Sequence, residues 1–347
     1  MAYPTNTLLE HVPADYCPKG SENWFTLTEG YDAGKTLFYY DHTIGDGAPE
    51  TTVLFVHGNP ENSYTWWHTR DELIASGKPL RLIAMDHVGF GLSDQADFEM
   101  IDMHHAQNLA QLVQHLDLRD VTLVTHDWGG PIGVGAFLDQ PERVKALMVC
   151  NTTIFPMPDE GYTYTNFPYP YFPWIVVGYI VPQKIWGGIA AALVREINKI
   201  GFNAFNKVVA ANVWKYLRRA FEPGSAEYVF SEQFRSKANA VASKRHVRHT
   251  PTWGHGYTYK DKRHGVQDNH AFTQRIQNEL VPAWQGLAAA GVFGEWDACG
   301  KPEVRAQWVD AFPAMKNAMK IVEDGGHFIE ESEGPAIAAA ILKMNGL

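Results

Sequence analysis

The sequence has few cysteines and no concentration of positive charge. Its 347 residues include only Cys17, Cys150 and Cys299, which lie far apart in the chain. This spacing fits neither a disulfide framework nor a zinc-binding pattern. The formal net charge is −10 and no block of lysine or arginine occurs, which argues against nucleic-acid binding. We therefore expect no metal, no cofactor and no nucleic-acid partner.

Long hydrophobic runs are also missing. The most conspicuous apolar stretch, Trp174 to Val181, lies between Pro173 and Pro182 and is far too short to span a bilayer. The first residues show neither the charged nor the apolar region of a signal peptide. We therefore expect a cytoplasmic protein that does not enter a membrane. The sequence does not indicate an oligomeric state.

What the sequence does contain is an alternation of apolar, β-branched runs with segments of helical period. The alternation predicts a mostly parallel sheet covered by helices on both faces, preceded by an antiparallel hairpin. Functional side chains of such sheets follow the carboxyl ends of the strands. The predicted strands are 25–28, 36–40, 51–56, 81–85, 121–124, 144–149, 287–293 and 320–322.

The alternation stops after Cys150. Residues 154–174 are rich in proline and aromatic side chains, and helical segments are predicted at 183–200, 202–221 and 231–243. We interpret residues 154–250 as a helical cap inserted into a core domain of residues 1–153 and 251–347. Most of the aromatic side chains in the cap are expected to form its own core.

A cluster of histidines follows the cap helices. The short spacings of a zinc site are missing from it, and lysine and arginine are interspersed. We predict a solvated, partly basic loop. The histidines are His246, His249, His255, His264 and His270.

The stretch from Val121 to Gly135 carries the main functional signal. A buried strand leads into a sharp turn, and a helix of small residues follows, which is the context of a nucleophile elbow. Asp127 occupies its centre, between the small residues Thr125 and Gly129. An aspartate is ionised at neutral pH, so its carboxylate can displace a leaving group from a saturated carbon and form an ester that water can hydrolyse. The alternative is an aspartate that only caps the following helix.

Two further residues complete a chain order of nucleophile, acid and histidine. Asp297 and His327 each follow a predicted strand, so both can lie at the same edge of the sheet as Asp127. His327 would activate water, and Asp297 would orient its imidazole. Glu295 is the competing acid. Asn151, after an earlier strand, occupies a place where some relatives carry the acid, but it has no charge.

Candidate hydrogen-bond donors for a developing negative charge follow the predicted strand 51–56. In His57-Gly58-Asn59-Pro60 the backbone N–H of Asn59, with that of Trp128, can form an oxyanion hole. Their side chains add an amide and an indole N–H, which are uncharged donors suited to a departing halide. The alternatives are that Asn59 only shapes a turn and that Trp128 only packs.

These motifs resemble those of haloalkane dehalogenases in the α/β-hydrolase superfamily. The matching segments are H-G-N-P, D-H-V-G-F-G-L-S-D, H-D-W-G-G, G-E-W-D and G-G-H-F, and the resemblance covers about residues 50–151 and 285–345. It implies an α/β-hydrolase fold with a helical cap. It also implies hydrolysis of a haloalkane by water to alcohol and halide through an alkyl ester on Asp127. His327 would be the base, Asp297 the acid, and Asn59 with Trp128 the halide pair.

Several alternatives remain open. An epoxide hydrolase uses the same triad with cap tyrosines as acids, although such enzymes commonly carry phenylalanine at the position of Asn59. A non-catalytic binding protein or a cofactor-free oxygenase on the same fold is also compatible with the scaffold. The candidate cap tyrosines are Tyr162, Tyr164, Tyr169, Tyr171, Tyr179 and Tyr216, and cap tryptophans that could contact a halide are Trp174, Trp186 and Trp214.

Overall fold

A computed structural model describes residues 3–45, 47–163, 174–196 and 202–347, and an eight-stranded sheet forms its centre. The order of strands in that sheet is β1-β2-β4-β3-β5-β6-β9-β10, while β7 and β8 form a separate hairpin. The strands are β1 Glu22–Thr26, β2 Thr36–Ile44, β3 Thr51–Val56, β4 Leu80–Met85, β5 Val121–His126, β6 Val144–Cys150, β7 Thr258–Asp261, β8 Gly265–Asp268, β9 Ala288–Gly294 and β10 Met319–Val322.

The sheet is antiparallel at one edge and parallel elsewhere. Strand β2 pairs antiparallel with both β1 and β4, whereas β4, β3, β5, β6, β9 and β10 pair in parallel. Every residue of the central strands β3 and β5 is buried, as expected for strands covered on both faces. The predicted fold class is confirmed, including the hairpin at the start and the small-residue strand β9.

Helices flank this sheet along the whole chain. Helix α1 packs against α13, and α2 packs against α3, which follows the central strand β5. The helices are α1 Trp67–Ala75, α2 Asp102–His115, α3 Gly129–Gly135, α4 Trp174–Ile180, α5 Trp186–Glu196, α6 Phe202–Leu217, α7 Ala226–Glu232, α8 Lys237–His249, α9 His270–Arg275, α10 Val281–Ala283, α11 Pro302–Ala311, α12 Ile329–Ser332 and α13 Gly334–Met344.

Helices α4 to α8 lie between β6 and β9, where the sequence predicts a cap. Helix α5 packs against α6 and α7, and α4 packs against α8. The division into a cap of residues 154–250 and a core remains a prediction. Three of the candidate cap tyrosines, Tyr164, Tyr169 and Tyr171, lie outside the described residues, as does the side chain of Trp174.

The histidine stretch differs from its prediction. Residues up to His249 belong to α8, and His246 is 1% exposed, so a solvated loop is wrong for this part. Helix α8 turns its charged side chains away from the side that buries His246. Arg245, for example, pairs with Glu99 on an earlier loop. Periodicity in a segment so rich in charge is weak evidence for burial, which explains the error.

A helical segment also continues through Pro282. A π-helical turn at Ile276–Leu280 leads from α9 into α10, and Pro282 lies in the first turn of α10. A proline is tolerated there because its missing N–H would have no partner in a first turn. Among the described helices, none is long and apolar enough to cross a membrane.

The turn between β5 and α3 is the sharp elbow that the sequence predicts. Asp127 at its centre has a φ of 49°, in the left-handed region that side chains other than glycine rarely adopt. A Cβ atom on Gly129 would collide with the carbonyl oxygen of Val56 in β3. The close approach of α3 to β3 therefore requires glycine at this position, and it holds Asp127 at the carboxyl end of β5.

We expect Gly129→Ala to destabilise the fold by about 1–3 kcal/mol, because the added methyl group has no space beside Val56. Urea unfolding measures this effect. The matched control is Gly286→Ala, since a Cβ atom at Gly286 meets no atom within 4 Å. Equal stability of the two variants would contradict the steric argument.

Candidate active site

The carboxylate of Asp127 is held from two sides. Its Oδ1 accepts a hydrogen bond from the backbone N–H of Asn59 at 2.6 Å. Its Oδ2 lies 3.2 Å from Nε2 of His327. The side chain is 3% exposed. The backbone N–H of Asn59 that the sequence proposes for an oxyanion hole therefore contacts this carboxylate, and the backbone N–H of Trp128 helps to lower its pKa.

His327 lies between two carboxylates. Its Nδ1 is 2.9 Å from Oδ2 of Asp297, while Nε2 faces Asp127. The other oxygen of Asp297 accepts the backbone N–H of Cys299 at 2.8 Å, which fixes the orientation of the acid. Asp127, Asp297 and His327 thus meet at the carboxyl ends of β5, β9 and β10, in the arrangement expected from their order in the chain.

The electrostatics of this site favour an ion pair. Burial lowers the pKa of His327, but the charges and hydrogen bonds of Asp297 and Asp127 outweigh burial and hold it well above its ordinary value. Burial raises the pKa of Asp127, yet the hydrogen bond and charge of His327 bring it below the ordinary value. The free site therefore contains an ionised Asp127 beside an imidazolium.

The competing residues lie elsewhere. The Glu295 side chain is exposed, and its backbone carbonyl accepts the hydroxyl of Tyr162 at 2.7 Å. Asn151 is buried, and its amide nitrogen donates to the carbonyls of Gly326 and His327, each at 2.7 Å. Its amide oxygen accepts the N–H of Gly294 at 2.9 Å. Asn151 therefore ties the end of β9 to the histidine loop.

The side chains of the candidate halide pair are fixed by neighbours on helices α5 and α8 and just after α8. The hydroxyl of Ser243 accepts the indole N–H of Trp186 at 2.8 Å and donates to Oδ1 of Asn59. The amide nitrogen of Asn59 consequently faces away from Ser243. The indole of Trp128 stacks on Trp253, with ring centroids 4.6 Å apart and planes 2° apart. Trp253 was not among the tryptophans proposed from the sequence.

The remaining cap candidates in the described residues are engaged elsewhere or exposed. Tyr179 and Trp214 are 63% and 58% exposed. Tyr216 is buried, and the guanidinium of Arg235 lies 3.6 Å from its ring centroid. None of these contacts involves Asp127. Within the described part of the chain, Tyr179 and Tyr216 therefore do not support the epoxide alternative.

A second group of ionisable side chains lies directly behind the elbow, and no sequence pattern predicts it. Nδ1 of His126 is 2.6 Å from Glu61 and Nε2 is 3.2 Å from Glu330, with all three side chains fully buried. Nε2 also lies 2.8 Å from the carbonyl oxygen of His327, and Glu61 accepts the backbone N–H of Gly58 at 3.0 Å. We call Glu61, His126 and Glu330 the buried trio. It connects the loops that carry Asn59, Asp127 and His327.

The buried trio is compact enough to raise the question of a bound cation, since its donor atoms lie within 4.8 Å of one another. The two carboxylates, however, face opposite nitrogens of one imidazole, so they pair with His126 rather than converging on one point. Burial lowers the pKa of His126, but the charges of Glu330 and Glu61 raise it to about 9. Burial raises the pKa of Glu330 to about 8. The arrangement is that of an imidazolium shared by two acids.

Comparison with known proteins agrees with this fold. Residues 51–175 match the family described as alpha/beta hydrolase fold. A haloalkane dehalogenase structure from Paraglaciecola agarilytica superimposes with a TM-score of 0.64 at 23% identity, covering 95% of this chain and 96% of that one. The chain therefore has the α/β-hydrolase fold.

Two of the curated relatives carry names for different reactions. A cis-3-alkyl-4-alkyloxetan-2-one decarboxylase from Shewanella oneidensis is 32% identical over 60% of this chain and 59% of its own length. A haloalkane dehalogenase from Mycolicibacterium smegmatis is 36% identical over 41% of this chain and 46% of its own length. The chain thus matches about half of the length of these relatives. The resemblance to the haloalkane dehalogenase family is confirmed.

Exchanging the acid tests the roles within the site. We expect Asp297→Asn to lower turnover on the order of 10⁴-fold, because an amide favours the wrong tautomer of His327. Glu295→Gln is the matched control two residues away, and it should keep nearly wild-type turnover because its side chain is exposed. Steady-state kinetics on both variants, with melting curves to verify folding, would measure the difference. A reversed order of severity would identify Glu295 as the acid.

The ion pair also predicts how stability depends on pH. Because the folded pKa of His327 is raised, its stabilisation is fully present below the unfolded value of about 6.5 and is lost as the pH rises through the folded pKa. The free energy of unfolding in urea should therefore differ most between wild type and His327→Phe near pH 6, and the difference should shrink at alkaline pH. The exposed histidine variant His270→Phe is the control, with a small effect throughout. A difference that grew with pH would contradict the ion pair.

Proposed function

We propose that the chain is a hydrolase that attacks saturated carbon with the carboxylate of Asp127, and that its substrates are haloalkanes. The observation that supports this proposal is the environment of that carboxylate. Oδ1 is already bound by the backbone N–H of Asn59 at 2.6 Å, while Oδ2 remains beside His327. Oδ2 would therefore attack, and Oδ1 would become the carbonyl oxygen of the ester.

In the first step Oδ2 forms a bond to the carbon, and the carbon–halogen electron pair leaves with the halide. The side-chain N–H groups of Asn59 and Trp128 would bind that halide. Alkylation removes the negative charge of Asp127, and with it one of the interactions that keep the pKa of His327 high. His327 can then lose its proton, so it becomes a base only after the ester has formed.

In the second step His327 takes a proton from water, and the oxygen of that water attacks the carbonyl carbon of the ester. The backbone donors of Asn59 and Trp128 stabilise the negative charge on Oδ1. The ester C–O bond breaks, and the alcohol departs with the proton from His327. The second proton of the water, left on the carboxyl group of Asp127, then passes to His327. The products are an alcohol, a halide ion and a proton, and Asp127 is restored.

A second candidate reaction is supported by the decarboxylase relative, whose match covers more of this chain than that of the dehalogenase. In a four-membered lactone the ring oxygen is bonded to a saturated carbon that Asp127 can attack, with the ring carboxylate as leaving group. Cleavage of the C–C bond to that carboxylate then releases carbon dioxide. The electrons of that C–C bond form the double bond of an alkene. The carboxylate of Asp127 leaves from the neighbouring carbon in the same step. This route consumes no water and needs no general base.

The variant His327→Phe distinguishes the two candidate reactions, because it keeps an aromatic ring but removes the base that only hydrolysis of the ester requires. With a bromoalkane we expect about one halide per active site and then arrest, because covalent catalysis divides the reaction into two steps. Intact-mass measurement and peptide mapping should locate the alkyl group on Asp127. With a cis-dialkyl oxetanone the same variant should continue to release carbon dioxide.

Asp127→Ala is the control, and it should show neither a burst nor an adduct. Adducts formed only with epoxides would support the epoxide alternative. No adduct with any of these substrates would contradict nucleophilic attack by Asp127, and the proposed function would fail.

A further inference from the structure

The side-chain amide of Asn59 has one end bound and one end open. Its oxygen accepts the hydroxyl of Ser243, whereas its nitrogen makes no hydrogen bond within the part of the chain that the structure describes. The residue is nevertheless only 3% exposed. Buried polar groups nearly always have partners, so the open N–H groups indicate a ligand that accepts hydrogen bonds. A halide leaving from the site would be such a ligand.

The orientation of this amide follows from hydrogen bonds that run in one direction. An indole nitrogen can only donate, so in the 2.8 Å bond between Trp186 and Ser243 the serine oxygen is the acceptor. The single proton of the serine hydroxyl is donated to Oδ1 of Asn59. If the amide turned over, an oxygen would face the leaving group, and its lone pairs would repel an anion. We call Trp186, Ser243 and Asn59 the amide relay.

The amide relay lies in closely packed surroundings without solvent. The side chains of Trp186 and Ser243 are both fully buried. Next to Trp186, a Cβ atom on Gly187 would lie 2.3 Å from the backbone oxygen of Ser231 in α7. Helix α5 therefore lies directly against α7, which restricts the position of the indole. Because neither side chain of the relay helices is exposed, water does not compete for the hydroxyl of Ser243.

Accepting the indole N–H of Trp186 does not require Ser243 to contact Asn59. A serine in a helix can donate its proton to a backbone carbonyl of the preceding turn. Ser231 in α7 does so, with its hydroxyl 3.1 Å from the carbonyl oxygen of Tyr228. Ser243 instead donates to the side chain of Asn59. The relay thus connects two helices to a residue beside the carboxylate of Asp127.

We propose that Ser243, fixed by Trp186, is a positioning residue that keeps the N–H end of the Asn59 amide toward the leaving group, and that chloroalkanes are therefore substrates of the site. This inference rests on the proposed attack by Asp127. Chloride is a poorer leaving group than iodide, and its more concentrated charge accepts stronger hydrogen bonds. The departure of chloride therefore depends more on a correctly oriented donor than the departure of iodide does.

The test measures halide departure alone, in the variant His327→Phe, where each site should release one halide and stop. Bursts are recorded with 1-chlorohexane and 1-iodohexane, with and without the additional change Ser243→Ala. That change should lower the burst rate on the chloride about fivefold to tenfold, the factor that corresponds to one neutral hydrogen bond. On the iodide the rate should fall less than about twofold, and the amplitude should stay at about one halide per site with both substrates.

Three controls separate orientation of the amide from packing. Ser243→Thr keeps the hydroxyl and should retain both burst rates. Ser231→Ala removes another buried serine hydroxyl, which bonds only within α7, and should also change neither rate. Trp186→Phe should lower the chloride rate when Ser243 is present but not in the Ser243→Ala background, because the indole acts through the serine. Melting curves verify that every variant folds.

Equal losses on chloride and iodide, or no loss on either, would overturn the role of Ser243. A reduced burst amplitude would also overturn it, because it would show that the change disrupts the site rather than the orientation of one amide. These outcomes leave the attack by Asp127 standing, since halide is still released. If His327→Phe released no halide from either substrate and carried no adduct on Asp127, the proposed function itself would be wrong, and the inference would fall with it.

Discussion

The imidazole of His327 lies between two buried carboxylates, and the chemistry of the site depends on this arrangement. With Asp127 at one nitrogen and Asp297 at the other, the ring carries a proton that a solitary buried histidine would lose. The carboxylate of Asp127, the proposed nucleophile, is thereby kept ionised inside the protein. Alkylation of Asp127 would remove its charge and would therefore lower the pKa of His327. The same three side chains can therefore support attack first and hydrolysis second.

The buried trio extends this principle into the scaffold. His126 precedes the nucleophile, and its ring contacts the carbonyl oxygen of His327. Glu61 holds the backbone of the loop that donates to Asp127. Three loops that are distant in sequence are thus fastened to one imidazolium. Such an ion group is costly to bury, and its value here is geometric because small displacements at a reacting centre reduce rates strongly.

Much of the fold and of the candidate site could be predicted because the signals are local. The elbow and the motifs G-E-W-D and G-G-H-F each follow a buried strand. This position places their functional side chains at the carboxyl ends of the strands. Asp127, Asp297 and His327 therefore lie together as their order implies. Glu61, His126 and Glu330 carry no such signal, since each looks like an ordinary residue until folding brings them together.

Helix α8 illustrates the opposite difficulty. Its lysines and arginines suggested a solvated segment, yet they serve one side of a helix whose other side presents Ser243 and His246 to the site. A pattern of charge does not reveal which positions of a helix are buried, and even Lys244 is 2% exposed.

The hydrogen bond from Ser243 to Asn59 has a consequence for how such enzymes can diversify. Trp186 lies on α5 and Ser243 on α8, whereas Asn59 lies in the loop that follows β3. Helices from between β6 and β9 therefore orient the amide that would receive a leaving group. Transplanting the inserted helices from a relative would therefore do more than reshape the substrate cavity. It would also release or reorient a group at the reacting centre, so chimeras of this architecture should require compensating changes at the strand ends.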